Sequence, residues 1–78
     1  MSTMDELTSV FQQVFDDDEL IVTRTTSAAD VDGWDSLTHV SLMLVIEKRF
    51  GIRFKSAQVA SLKNVGELAD LIETLPRK

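Results

Sequence analysis

Side chains that could do chemistry stand close together in Asp30-Val31-Asp32-Gly33-Trp34-Asp35-Ser36-Leu37-Thr38-His39 of this 78-residue sequence. Ser36 brings a hydroxyl, His39 the only imidazole, and three aspartates bring carboxylates. A serine hydrolase would need a positioned base and a nucleophile elbow, and Gly33-Trp34-Asp35-Ser36-Leu37 lacks the elbow's second glycine. His39 lies three residues on, near the side of a helix that should face the core, where packing or a first-turn hydrogen bond suits it better than catalysis. Calcium also fits poorly. In a loop beginning at Asp30 the glycine falls at the fourth position instead of the sixth, and the twelfth is Ser41, not a glutamate. What remains is a hydroxyl at the start of a helix, where Asp35 or Ser36 can cap and free N–H groups with the positive dipole end favour a phosphate ester on the serine oxygen.

The elements that must hold this segment follow from periodicity. Leu7, Val10, Phe11, Val14 and Phe15 recur at helical spacing, and Thr3-x-x-Glu6 offers a capping box before them. Asp16-Asp17-Asp18-Glu19 sets negative charge against the dipole at the far end, so a first helix should stop there. A connection to Asp35 follows that is longer than the ~12–15 residues usual for an unstructured loop. Leu20, Ile21, Val22 and Val31 are expected to anchor it, and Ile21-Val22-Thr23 stays loop because no second strand pattern offers a partner.

A second helix is expected from Ser36 to Phe50, stopped by Gly51. Its apolar residues do not share one face: at about 100° per residue Leu42, Met43, Ile46 and Phe50 cluster on one side, with Leu37, Val40 and Leu44 nearly opposite. Only one stripe can face so small a core, so the other lies under a loop or forms an exposed partner surface. A helical turn is expected over Ser56 to Leu62. Asn64-x-x-Glu67 should then open a last helix that turns Leu68, Leu71, Ile72 and Leu75 inward and ends at Pro76. The fold class is all-α: a three-to-four-helix bundle with a long loop between the first two helices, one domain over residues 1–78.

Composition narrows the function. Thirteen acids against eight bases give a net charge of −5, and 44% apolar residues suit one small core with no room for a deep catalytic cleft. Residues 1–35 hold nine acids against Arg24 alone, whereas 36–78 hold four acids and seven bases. That surface repels a phosphate backbone, so nucleic-acid binding is not expected. No apolar run is long enough for a membrane span, and Met1 to Glu6 has no signal-peptide character. Without cysteine there is neither disulfide nor thiolate zinc site, and the reducing cytoplasm is the expected compartment.

Asp35-Ser36-Leu37, then Val40, the run Leu42 to Ile46, Glu47 and Phe50-Gly51-Ile52, resembles the modification motif and second helix of acyl carrier proteins and the related peptidyl carrier domains. Leu62-Lys63-Asn64-Val65-Gly66-Glu67-Leu68 also resembles the start of that family's last helix. The resemblance implies a non-enzymatic carrier whose Ser36 receives a covalent 4′-phosphopantetheine arm. A Mg²⁺-dependent phosphopantetheinyl transferase would take it from coenzyme A, with the Ser36 hydroxyl attacking a phosphorus of the pyrophosphate. The arm would supply the thiol this chain lacks and hold acyl or aminoacyl cargo as a thioester. By position, Asp35 would help dock the transferase, and Leu37, Val40 and Leu44 would form the stripe that a cargo-loading ligase or acyltransferase and downstream enzymes recognise. Glu47 would keep an acidic contact at the far end. Cargo would lie among Leu42, Ile46, Phe50, Phe54, Leu62 and Leu71, and the carrier would act as a monomer.

Three departures from the family pattern bear on pathway. Family members in fatty-acid synthesis usually have a strongly acidic second helix, but here Ser41 is neutral and Lys48 and Arg49 are basic. Trp34 stands where an aliphatic residue is common, as interface anchor or as packing lid, and Arg53 and Lys55 make the next loop basic. A specialised pathway with its own loading enzyme fits better, since charge complementarity selects partners. The alternative from another class is an unmodified helical interaction module in which Ser36 only caps.

Overall fold

The computed structural model describes residues 2–75 and contains four α-helices, α1 (Thr3–Val14), α2 (Ser36–Phe50), α3 (Ser56–Ala60) and α4 (Val65–Thr74), with one 3-10 turn at Ala28–Asp30 and no strand among the described residues. The expected all-α bundle is therefore the fold. Pro76 lies outside the described residues.

Each long helix begins with a side-chain cap. For α1 the cap is one residue earlier than the sequence suggested. Ser2 Oγ accepts from the Asp5 N–H (3.1 Å) and Asp5 Oδ2 accepts from the Ser2 N–H (3.3 Å), so Ser2 and Asp5 form the box, not Thr3 and Glu6. Asp35 caps α2, its Oδ1 accepting from the Thr38 N–H at 2.9 Å. Asn64 caps α4 through Oδ1 and the Glu67 N–H (2.8 Å), but Glu67 reaches back to the Lys63 N–H (3.1 Å), one residue past the cap, so the box does not close. α1 and α2 end alike. A left-handed residue, Asp16 (φ 52°) or Gly51 (φ 67°), turns the next N–H back onto the helix, Asp17 to the Gln12 carbonyl and Ile52 to that of Glu47.

α1 packs against α2 and α4, and Leu7, Val10 and Phe11 from α1, Leu42 and Ile46 from α2, and Val65 and Ile72 from α4 are wholly buried in the shared core. Leu68 is buried with them, while Leu71 and Leu75 are only half-buried. α3 spans five residues, fewer than the turn expected to reach Leu62, and buries none completely.

The long loop is stitched down along its length, which explains how it can exceed the usual limit. Gln12 Nε2 donates to the Leu20 carbonyl (3.0 Å), and Val22 and Val31 drop into the core. Ile21, expected to anchor as well, is instead 74% exposed, because in an extended stretch its neighbour Val22 takes the inward side. The carbonyls of Arg24 and Thr26 then accept from the N–H groups of Gly66 and Val65, both at 2.8 Å. Gly66 is required by that approach, since a Cβ there would lie 2.7 Å from the Arg24 carbonyl oxygen. Arg24 Nη2 also pairs with Asp70 Oδ2 at 2.9 Å across the exposed surface.

Candidate functional site

Ser36 is the first residue of α2, immediately after the Asp35 cap. The choice left open between the two as cap is thereby settled: Asp35 satisfies the helix end, and Ser36 is exposed with its hydroxyl making no hydrogen bond. The Thr38 backbone N–H, with further help from the Thr38 side chain, holds the Asp35 carboxyl below the usual aspartate value, so a negative charge sits beside the serine at neutral pH.

Trp34, just before the cap, proves to be a packing lid. Its ring meets Phe11 edge-on at 5.2 Å, leans on Phe15 at 6.3 Å and stacks on His39 at 6.0 Å. The indole Nε1–H donates to His39 Nδ1 at 3.0 Å. An indole nitrogen only donates, so the neutral imidazole carries its proton on Nε2, which donates to the Val59 carbonyl of α3 at 3.1 Å. His39 is thus built into the fold as a bridge between helices.

Beside Ser36 opens a groove of about 750 Å³ between α2 and α3, whose apolar wall includes Val40, Met43, Phe54, Val59, Leu62 and Leu68. Asp35, Ser36, Val40, Leu44 and Glu47 all border it. Leu37 does not, and at 80% exposure it belongs wholly to the outer stripe, with Val40 at 55% and Leu44 at 54%. Glu47 is half-buried, and its Oε2 accepts from the Phe54 N–H at 2.8 Å, holding the chain after Gly51 against α2. Of the residues expected to surround cargo, Phe54 and Leu62 line the groove, whereas Leu42, Ile46 and Phe50 are core and Leu71 lies elsewhere on α4. Sequence reasoning missed Met43, Val59 and Leu68 as groove residues. Met43 and Leu68 carried the right periodicity, but only the position of α3 shows which of their flanks is open. Among the described residues no three His, Asp or Glu side chains converge as a metal site, and no helix is long and apolar enough to cross a membrane.

Residues 5–72 match the family described as the phosphopantetheine attachment site. A solved structure, the solution structure of a holo acyl carrier protein from Geobacter metallireducens, is 51% identical, covers 94% of this chain and 84% of its own, and superposes with a TM-score of 0.86. The chain belongs to the acyl carrier protein family. Among curated proteins none matches it. Its prosthetic group is a covalent 4′-phosphopantetheine, and as a carrier it is a substrate of other enzymes, not an enzyme. The residues present fit such a group: a free, exposed hydroxyl at a helix N-terminus opens directly onto an apolar groove.

Proposed function

We propose that Ser36 is the attachment residue and that this acyl carrier protein serves a specialised biosynthetic pathway, not housekeeping fatty-acid synthesis. The observation that carries the attachment is the division of labour at the start of α2. Asp35 takes the capping bond, leaving the Ser36 hydroxyl exposed and without an intramolecular partner. A transferase can reach that oxygen without breaking any bond of the fold, and the positive end of α2 favours the phosphodiester that results. When attached, the arm supplies a thiol to a chain that has none.

Asp35 offers a fixed negative charge to the transferase, and Leu37, Val40 and Leu44 present the apolar stripe to the loading ligase or acyltransferase and to downstream enzymes. Glu47 combines an acidic contact at the far end with its hold on the Phe54 N–H. The specialised role is supported by the charge of α2, which carries no acid between its Asp35 cap and Glu47, has Lys48 and Arg49 in its last turn, and is followed by Arg53 and Lys55. We take the working unit to be a monomeric single domain in the cytoplasm, carrying acyl or aminoacyl cargo.

The test is intact mass measurement after incubation with coenzyme A, Mg²⁺ and a broad-specificity phosphopantetheinyl transferase. One arm-sized increment on the native chain, absent from Ser36→Ala, is the expected result. An increment that persists in Ser36→Ala moves the attachment to another residue.

A further inference from the structure

α3 forms one wall of the groove yet has little to hold it. It is five residues long with none of them completely buried, and the side-chain bond at its start, from the Lys55 N–H to Gln58 Oε1 at 2.9 Å, is local to the segment and ties it to no other helix. Val59 packs against the core from one side. Among the described residues, the one side-chain hydrogen bond between α3 and another helix is that from His39 Nε2 to the Val59 carbonyl. His39 in turn is oriented by the Trp34 Nε1–H and by stacking on the indole ring, which rests on Phe11 of α1 and on Phe15 at that helix's C-cap.

We propose that His39 is a positioning residue that latches α3 to α2, with Trp34 fixing the tautomer that makes the latch possible, so that the His39–Val59 bond sets the width of the groove beside Ser36. The logic is directional. Trp34 can only donate, which leaves Nδ1 as the acceptor and puts the remaining proton where it meets the Val59 carbonyl. Removing the indole donor frees the ring to take either tautomer, and in the other one Nε2 and the carbonyl face each other as two acceptors. The rigid aromatic stack thereby transmits the position of α1 to the far wall of the groove. Cargo lying in the groove must fit the space the latch leaves or part the bond. That consequence rests on the attachment of the arm at Ser36, whereas the latch itself is a property of the unmodified chain.

The experiment therefore begins with the full-length unmodified protein. Nitrogen-15 spectra of the His39 ring at neutral pH should show the Nε2–H tautomer, and Trp34→Phe should shift it toward a mixture. His39→Ala should speed amide exchange at Val59 and Ser61 by about twofold to tenfold, the range expected for loss of one hydrogen bond, while α1 and α4 amides change little. His39→Gln, whose amide also presents an acceptor and a donor, should recover part of that protection. The latch is overturned by an Nδ1–H ring in the native protein, by unchanged exchange in α3, by equal acceleration in every helix, or by His39→Gln behaving as His39→Ala. A holo chain loaded with an octanoyl thioester, its mass confirmed first, should lose thioester protection from hydroxylamine in His39→Ala. Equal protection there refutes the consequence for cargo alone, and absence of loading on native chain refutes the attachment and not the latch.

Discussion

Leu42 and Leu44 stand two residues apart on α2 and meet opposite fates. Leu42 is wholly buried, with Met43, Ile46 and Phe50 close behind at 5% exposure or less, whereas Leu44 shares an open stripe with Leu37 and Val40. Burying a leucine is worth about 1.5–3 kcal/mol relative to leaving it in water, so the outer stripe forgoes a gain that the inner one takes. A helix needed only to complete the core would have no use for that second stripe. On the function proposed above, it is the surface that partner enzymes cover for the duration of an encounter.

The contrast can be broken most directly by making the same change on both sides. Leu42→Ala should cost about 2–5 kcal/mol in a urea titration, as expected for a filled core site that collapses incompletely. Leu44→Ala is the matching control at the end of this series. Between them comes Gly51→Ala, which forces a Cβ into the left-handed turn that closes α2. It should cost about 1–2 kcal/mol and loosen the last turn around Phe50, read as faster exchange of the Ile52 amide.

A smaller effect concerns the acid limb of stability. Since the Asp35 carboxyl titrates lower in the folded chain than when unfolded, its contribution is complete above the ordinary aspartate range. That contribution is lost as pH falls through the depressed folded value. Asp35→Asn keeps a capping oxygen without the titration, so thermal melts between pH 2 and 5 should lose part of their slope. Least of all, Leu44→Ala and Leu37→Ala should leave stability within about 0.5 kcal/mol of native, while the rate at which a loading ligase or acyltransferase charges the holo chain falls. A large loss of stability in either variant would place the outer stripe in the core and end the comparison.

How much of this was legible beforehand depended on whether a pattern or a packing decision set the answer. The bounds of α2 follow from the Asp35-Ser36 start and the Gly51 stop, and its two stripes follow from angular spacing, because both are properties of one helix. The inward turn of Val22 over Ile21 could not be read from two adjacent β-branched residues, since an extended segment alternates and nothing local says which comes first. Ser2 and Thr3 are both followed three residues later by an acid, so the α1 cap was ambiguous by one residue. The groove was misplaced because its second wall is α3, and His39 finds its partner in a backbone carbonyl twenty residues away, which no spacing rule reveals.

The stitching of the long loop to α4 bears on how the molecule comes together. Two donors in the first turn of α4 are satisfied by carbonyls more than 38 residues upstream, so the last helix cannot be completed from its own neighbourhood. The loop and α4 therefore hold one another in place, and undocking either leaves the polar groups of both without their partners. They should also melt together, which makes the connection between the first two helices part of the cooperative unit that closes the bundle.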